Sequence, residues 1–200
     1  MNDVRSAKQP HAEPAPSTGV EALTDAALVA RAREGERWAH GAIFRRHASA
    51  VLGMATRVLG RADEADDVVQ EAFFAAFRNL DRLDDPSRLR PWLMGIAIHR
   101  ARRKLRARSV LRVLGLASDP GFSELVSSSA SPEQRTELTL VGRLVADLPV
   151  DERVAWTLRH LGGEQLDAIA KLTDCSLATV KRRIAAAEER LRSAAERGGR

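Results

Sequence analysis

The 200-residue sequence predicts an all-α protein made of two small helical domains joined by a flexible linker. Three observations carry that expectation. Apolar residues recur at helical spacing along most of the chain, and no stretch alternates as a half-buried strand does. Gly, Pro, Ser and Asp punctuate the pattern where helices should stop and start. One stretch, SDPGFSELVSSSAS, loses the periodicity and has the composition of a linker. The expected boundaries are a disordered tail over 1–21, a four-helix domain over 22–108, the linker over 109–131, and a helix-turn-helix domain over 132–197.

The tail is rich in Pro, Ala, Ser and Thr and carries no apolar period. Thr24 is placed to cap a first helix, with Asp25 in its first turn and Leu28, Val29 and Ala32 as its apolar stripe; Gly35 ends it. A second helix is expected over 37–59, where Trp38, Ile43, Val51, Met54, Ala55 and Val58 form a broad apolar face and Gly60 is the stop. A third should span 63–80, with Val68, Val69, Phe73, Ala76, Phe77 and Leu80 inward and Asp66, Asp67, Gln70 and Glu71 outward. Asp85-Pro86-Ser87 is turn chemistry, and Pro91 suits the first turn of a fourth helix. Leu93, Ile96, Ala97, Ala101 and Leu105 make the buried side of that helix, and His99, Arg100, Arg103 and Arg106 another.

Past the linker, Ser131-Pro132-Glu133-Gln134 reads as a cap, an N1 proline and a capping-box Gln. A helix to about 147 follows, with Leu138, Val141, Leu144, Val145 and Leu148 at helical spacing; another spans 150–161 and stops at Gly162-Gly163. A short helix over 164–172, a turn at Thr173-Asp174-Cys175, and a long helix capped by Ser176 complete the chain.

Composition narrows the function. No apolar run approaches the roughly 18 residues of a membrane span, and the N-terminus lacks the apolar core of a secretory signal. A lone cysteine, Cys175, excludes a disulfide within the chain and a cysteine-based metal site. A cytoplasmic protein without cofactor is expected. Charge is more telling in its distribution than in its net value of +5. Residues 61–81 hold six acidic side chains (Asp63, Glu64, Asp66, Asp67, Glu71, Asp81) against Arg61 and Arg78. Residues 82–108 hold nine basic ones (Arg82, Arg88, Arg90, Arg100, Arg102, Arg103, Lys104, Arg106, Arg108) against Asp84 and Asp85. The acidic segment suits a protein partner and the basic one suits phosphates; alternatively, two helix faces attract each other.

The C-terminal pattern offers DNA binding. Two short helices across a tight turn let the second enter a major groove about 12 Å wide. Leu166, Ile169, Ala170, Val180 and Ile184 pack beneath, leaving Leu177, Ala178, Thr179, Lys181, Arg182 and Arg183 near the exposed start of the second helix. An ordinary helical hairpin with a basic face has the same pattern. Catalysis is not expected. No P-loop is present, His40 and His47 are about 10 Å apart along a helix axis, too far to share a metal, and Asp84-Asp85 is explained by its turn.

Three stretches together resemble bacterial RNA polymerase sigma factors of the extracytoplasmic-function (ECF) class. DEADDVVQEAFFAAF resembles the polymerase-binding helix. SRLRPWLMGIAIHRARRKLR resembles the promoter-melting, minus-ten-reading segment. LPVDERVAWTLRHLGGEQLDAIAKLTDCSLATVKRRI resembles the minus-thirty-five-reading domain. The resemblance implies that Asp66, Asp67, Gln70 and Glu71 dock on the clamp helices of the polymerase largest subunit, with the flap as a further contact. It implies that Arg88, Arg90, Trp92, His99, Arg100, Arg103 and Lys104 hold the minus-ten strand, Trp92 being either a pocket wall or core. Ser176, Thr179, Lys181, Arg182 and Arg183 would read the minus-thirty-five element. Promoter DNA and an anti-sigma factor are the other implied partners, with no membrane insertion. The rival is a stand-alone helix-turn-helix regulator that binds operators as a dimer. Three departures stand out: His99 where the family commonly has Asn, Asp174 where a turn Gly is common, and Ala185, Ala186, Ala187, Glu188 and Glu189 in a stretch that is usually basic.

Overall fold

The computed structural model describes residues 19–116 and 141–198. The expected tail up to residue 18, most of the expected linker and the capping sequence at Ser131 lie outside them. The helices are α1 (Asp25–Arg33), α2 (Arg37–Leu59), α3 (Ala62–Arg78), α4 (Leu89–Val113), α5 (141–146 among the described residues), α6 (Val150–His160), α7 (Leu166–Thr173) and α8 (Leu177–Gly198). No strand occurs among the described residues.

Local chemistry sets most of the boundaries. The Thr24 hydroxyl accepts from the Ala27 amide at 3.2 Å and starts α1. Gly60 adopts φ +70° and donates to the Thr56 carbonyl, closing α2. At the end of α6, a Cβ on Gly162 would lie 2.7 Å from the Leu158 carbonyl oxygen, so only glycine fits that close approach. Asp174 has φ +51° and is the sole non-glycine residue with positive φ among the described residues. Asp takes the left-handed conformation there, at a steric cost that Asp bears better than most L-residues.

Two boundaries differ from expectation. α4 starts at Leu89, two residues before Pro91, because proline is tolerated throughout a helix's first turn. It also continues past Arg108 to Val113. The apolar period fades there because Val110 and Val113 face solvent, not because the helix stops; the stop comes at Gly115, φ +69°. The buried side of α4 is also broader than expected: Met94 and Ile98 join it, and Ile96 is only half-buried. Val141, expected inward, is exposed.

α2 packs on α1, α3 and α4, and α3 packs on α4. α6, α7 and α8 form a second group, with α4 against α7 and α6, and α2 against α6. One apolar core therefore runs from Leu28, Ile43, Val58 and Leu93 into Leu158, Ile169, Leu172 and Val180. A smaller core joins Val145, Leu148 and Ala187, with Trp156 and Leu191 packed against it.

Candidate polymerase and nucleic-acid interface

The acidic and basic segments lie on α3 and α4, which are packed side by side. Lys104 Nζ sits 2.8 Å from Asp67, Arg100 2.6 Å from Glu71, and Arg103 3.3 Å from Glu71. The two segments do attract each other, as the alternative reading of their charges has it. These pairs are largely solvent-exposed, so each contributes at most about 1 kcal/mol and is easily exchanged for another partner. Asp66 and Gln70 are exposed and make no side-chain hydrogen bond among the described residues. One turn further on, Phe74 is 65% exposed, with the Arg78 guanidinium 5.6 Å from its ring centre. α3 thus presents a stripe of carboxylates, an amide and an aromatic ring that its own core does not use.

At the start of α4, Asp85 caps a tight turn: its carboxylate accepts from the Ser87 hydroxyl (2.6 Å) and amide (3.0 Å), which lowers its pKa below 3.8. The preceding loop is pinned from α1, where Arg33 Nη2 donates to the carbonyls of Leu80 (2.9 Å) and Leu83 (2.6 Å). Beside this loop lies a groove of about 850 Å³. One wall carries Arg88, Arg90, Trp92, Ile96 and His99; the other carries Glu164, Ala168, Lys171 and Leu172 from the α6–α7 connection and α7. Trp92 packs against the core and also lines the groove. His99, Arg88 and Arg90 are exposed.

The helix-turn-helix forms from α7, the Asp174 turn and α8. Ser176 Oγ accepts from the Thr179 amide at 3.2 Å and lies 3.0 Å from the Thr179 hydroxyl, so both hydroxyls serve the cap. Lys181 and Arg182 are exposed. Arg183 turns back instead: its Nη2 is 3.0 Å from Asp151 and its Nη1 is 3.4 Å from Cys175 Sγ. Cys175 fills the turn as a half-buried plug.

The model of the Sigma-70 region 2 family matches residues 43–110, and that of Sigma-70, region 4 matches residues 138–191, together more than half of the chain. The ECF RNA polymerase sigma-E factor of Haemophilus influenzae is 32% identical over 186 residues, covering 84% of this chain and 94% of that protein. The chain belongs to the ECF sigma factors. The sigma-E factor of Escherichia coli K12 is similar to the same degree, 32% over 178 residues, covering 84% of this chain and 93% of its own length. Among solved structures, CnrH in complex with the cytosolic domain of CnrY matches with a TM-score of 0.58 and 26% identity, over 86% of this chain and 97% of CnrH. The sigma factor RpoE of Bartonella quintana, solved with the anti-sigma factor NepR, shares the fold at a TM-score of 0.55 and 22% identity, over 72% of this chain and 89% of its own.

In this sigma factor the region 2 match runs from within α2 through most of α4, and the region 4 match covers α5 to α7 and most of α8. It therefore binds core polymerase and directs promoter-specific initiation. The histidines weighed as metal ligands have structural tasks. His40 meets Phe77 edge-on at 4.7 Å, and buried His47 lies 3.1 Å from Asp25. Among the described residues no group of three or more His, Cys, Asp or Glu side chains could hold a metal ion, and no helix is long and apolar enough to cross a membrane. The acidic stretch after Arg183 is partly used inside region 4, where Glu188 pairs with His160 at 3.1 Å.

Sequence reasoning missed the residues that join the sigma factor's two regions. Arg153, 3% exposed, donates from Nε to the Val58 carbonyl (3.1 Å) and from Nη2 to the Leu59 carbonyl (2.8 Å). Those carbonyls belong to the last turn of α2, which lacks partners of its own. The available signal was an arginine at buried-face spacing beside Val154 and Leu158. Asp151 and Arg102 carried no such signal, because each lies on a polar face.

Proposed function

We propose that the α3 stripe of Asp66, Asp67, Gln70 and Glu71 docks on the clamp helices of the polymerase largest subunit, and that the remaining surfaces read DNA in a fixed order. The groove and α4 hold the minus-ten strand. Trp92 offers a stacking wall, His99 a hydrogen-bonding edge, and Arg88, Arg90, Arg100, Arg103 and Lys104 neutralise phosphates. The start of α8 reads the minus-thirty-five duplex through Thr179, Lys181 and Arg182, with Ser176 ordering the helix and Arg183 joining once it leaves Asp151. Domain boundaries near residues 108 and 132 follow from the same reading.

The observation that carries this is the exposed, unpartnered Asp66 and Gln70 on the same helix as Asp67 and Glu71, next to a basic groove with an aromatic wall. An acid-amide patch adjoining a cationic surface fits a protein that must hold a larger protein and DNA together. Docking supplies most of the affinity, and DNA reading is then effectively intramolecular. The protein adds no catalytic group of its own, acts in the cytoplasm beside polymerase, and offers the same faces to an anti-sigma factor, the kind of partner that NepR is for the Bartonella sigma factor.

Asp67→Arg combined with Gln70→Ala should abolish capture of core polymerase while the circular dichroism spectrum stays that of the parent. Undiminished capture would refute the docking assignment.

A further inference from the structure

One glycine beside the groove has no task in the fold. Gly95 lies in the second turn of α4, inside the helix. Glycine is the poorest helix former after proline, so a helix interior keeps one only for a reason. Backbone conformation is not that reason, since Gly95 is not among the glycines with positive φ. Packing is not the reason either. Apart from its chain neighbours and the backbone of its own helix, a Cβ on Gly95 would meet no atom within 4 Å. The glycines of α2 differ. A Cβ on Gly41 would lie 3.3 Å from Arg45 Nη1, and one on Gly53 would lie 3.4 Å from Arg57 Nη1.

What Gly95 does adjoin is the open groove of about 850 Å³. Trp92, Gly95, Ile96 and His99 stand at i, i+3, i+4 and i+7, so they share one face of α4, and all four line the groove. By helix rise, Gly95 is about 4.5 Å from Trp92 and about 6 Å from His99 along the axis. Between an indole and an imidazole the helix therefore offers a gap with bare backbone at its base. A flat ring stacked on Trp92, with its polar edge toward His99, would rest on that backbone. Any side chain at position 95 would stand in the same space.

We propose that Gly95 belongs to the strand-reading set: its missing side chain leaves room for one unpaired nucleobase to lie between Trp92 and His99 in contact with the α4 backbone. That this base comes from the minus-ten strand rests on the function proposed above. Helix stability is given up to keep the space free, so stability and function pull position 95 in opposite directions. Restoring a good helix former there should make the protein more stable and poorer at initiation. A glycine kept for folding would instead lose both together.

The test compares Gly95→Ala and Trp92→Leu with the parent in the full chain. Gly95→Ala should raise the Tm of the free chain by about 2–4 °C. Assembled with core polymerase, it should capture the core as the parent does. It should then initiate about tenfold less from a library of randomised promoters, the effect expected of one added methyl group in a filled site. A Tm that does not rise shows that Gly95 serves the fold and overturns the proposal. Parental initiation at a raised Tm overturns it too, and so does a loss of core capture as large as the loss of initiation. Trp92→Leu, which keeps an apolar side chain but removes the ring, separates the two layers. If neither variant impairs initiation, the groove does not hold the minus-ten strand and the function proposed for it fails. If Trp92→Leu alone impairs initiation, the groove reading stands and only the role of Gly95 falls. If Gly95→Ala alone impairs it, the space at Gly95 stands and Trp92 is not its wall.

Discussion

Phe74→Ala isolates the affinity of the docking stripe from its charge. A phenylalanine buries roughly 150–250 Å² when fully covered, and Phe74 is 65% exposed. About 100–160 Å² is therefore left for a partner, worth roughly 2.5–4 kcal/mol at about 25 cal/mol per Å². Side-chain ordering and imperfect desolvation absorb part of that, and alanine keeps the Cβ, so about 1–2 kcal/mol should be lost on truncation. That is a weakening of about 5- to 30-fold in Kd for core polymerase. Within the free protein the change removes only the exposed contact with Arg78, worth roughly 0.5–1 kcal/mol, so thermal stability should barely move. The assay is an anisotropy titration of labelled sigma factor with core polymerase, paired with a thermal melt by circular dichroism. Affinity within twofold of the parent would refute the reasoning. So would a loss of affinity matched by a large fall in Tm, because the side chain would then be supporting the fold and not the interface.

Asp25 links α1 to α2 through Arg46 at 2.9 Å and His47 at 3.1 Å. Burial opposes its charge and the hydrogen bonds from Arg46 and His47 outweigh it, holding its pKa below 3.8. A depressed folded pKa contributes stability above 3.8 that disappears as pH falls through the folded value. Asp25→Asn should therefore lower Tm at neutral pH and flatten the acid side of the stability curve, and a parent-like acid slope would contradict this. Ser176→Ala removes the α8 cap and should cost about 1 kcal/mol; duplex minus-thirty-five binding should fall with it, and a melt unchanged within error would exclude the capping role. His99→Asn exchanges one hydrogen-bonding edge for another in the groove. It should alter base preference in transcription from randomised minus-ten elements, and an unchanged preference would remove His99 from the reading set.

Much of the fold was legible from one dimension. The start of α1 follows from Thr24, the end of α2 from Gly60, and the inward faces of α1 to α3 from a 3.6-residue apolar period. The period failed where its physical cause was absent. At Val110 and Val113 no neighbouring element among the described residues gives the helix an inside, so the pattern fades while the helix persists. Ile98 was missed for the opposite reason, since α4 is covered on more than one side and a single stripe underestimates its buried face. The exposed Asp66 and Gln70 were visible as polar residues on an amphipathic helix. That Glu71 and Asp67 would be shared with Arg100, Arg103 and Lys104 was visible only as one of two options.

Alone, the sequence determined most of the helices, the caps at Thr24 and Ser176, the order of the polymerase- and DNA-binding motifs, and membership of the ECF sigma factors. All of these depend on residues within a few turns of one another. Tertiary structure decided which charges meet. Arg102 reaches Asp151 and Arg153 reaches Leu59 across 49 and 94 residues of chain. Helical periodicity reports which side of a segment avoids water, but says nothing of which distant segment will lie against its polar side. For that reason the pairing of Asp151 with Arg102, and the hold of Arg153 on the end of α2, emerge only from the packed molecule.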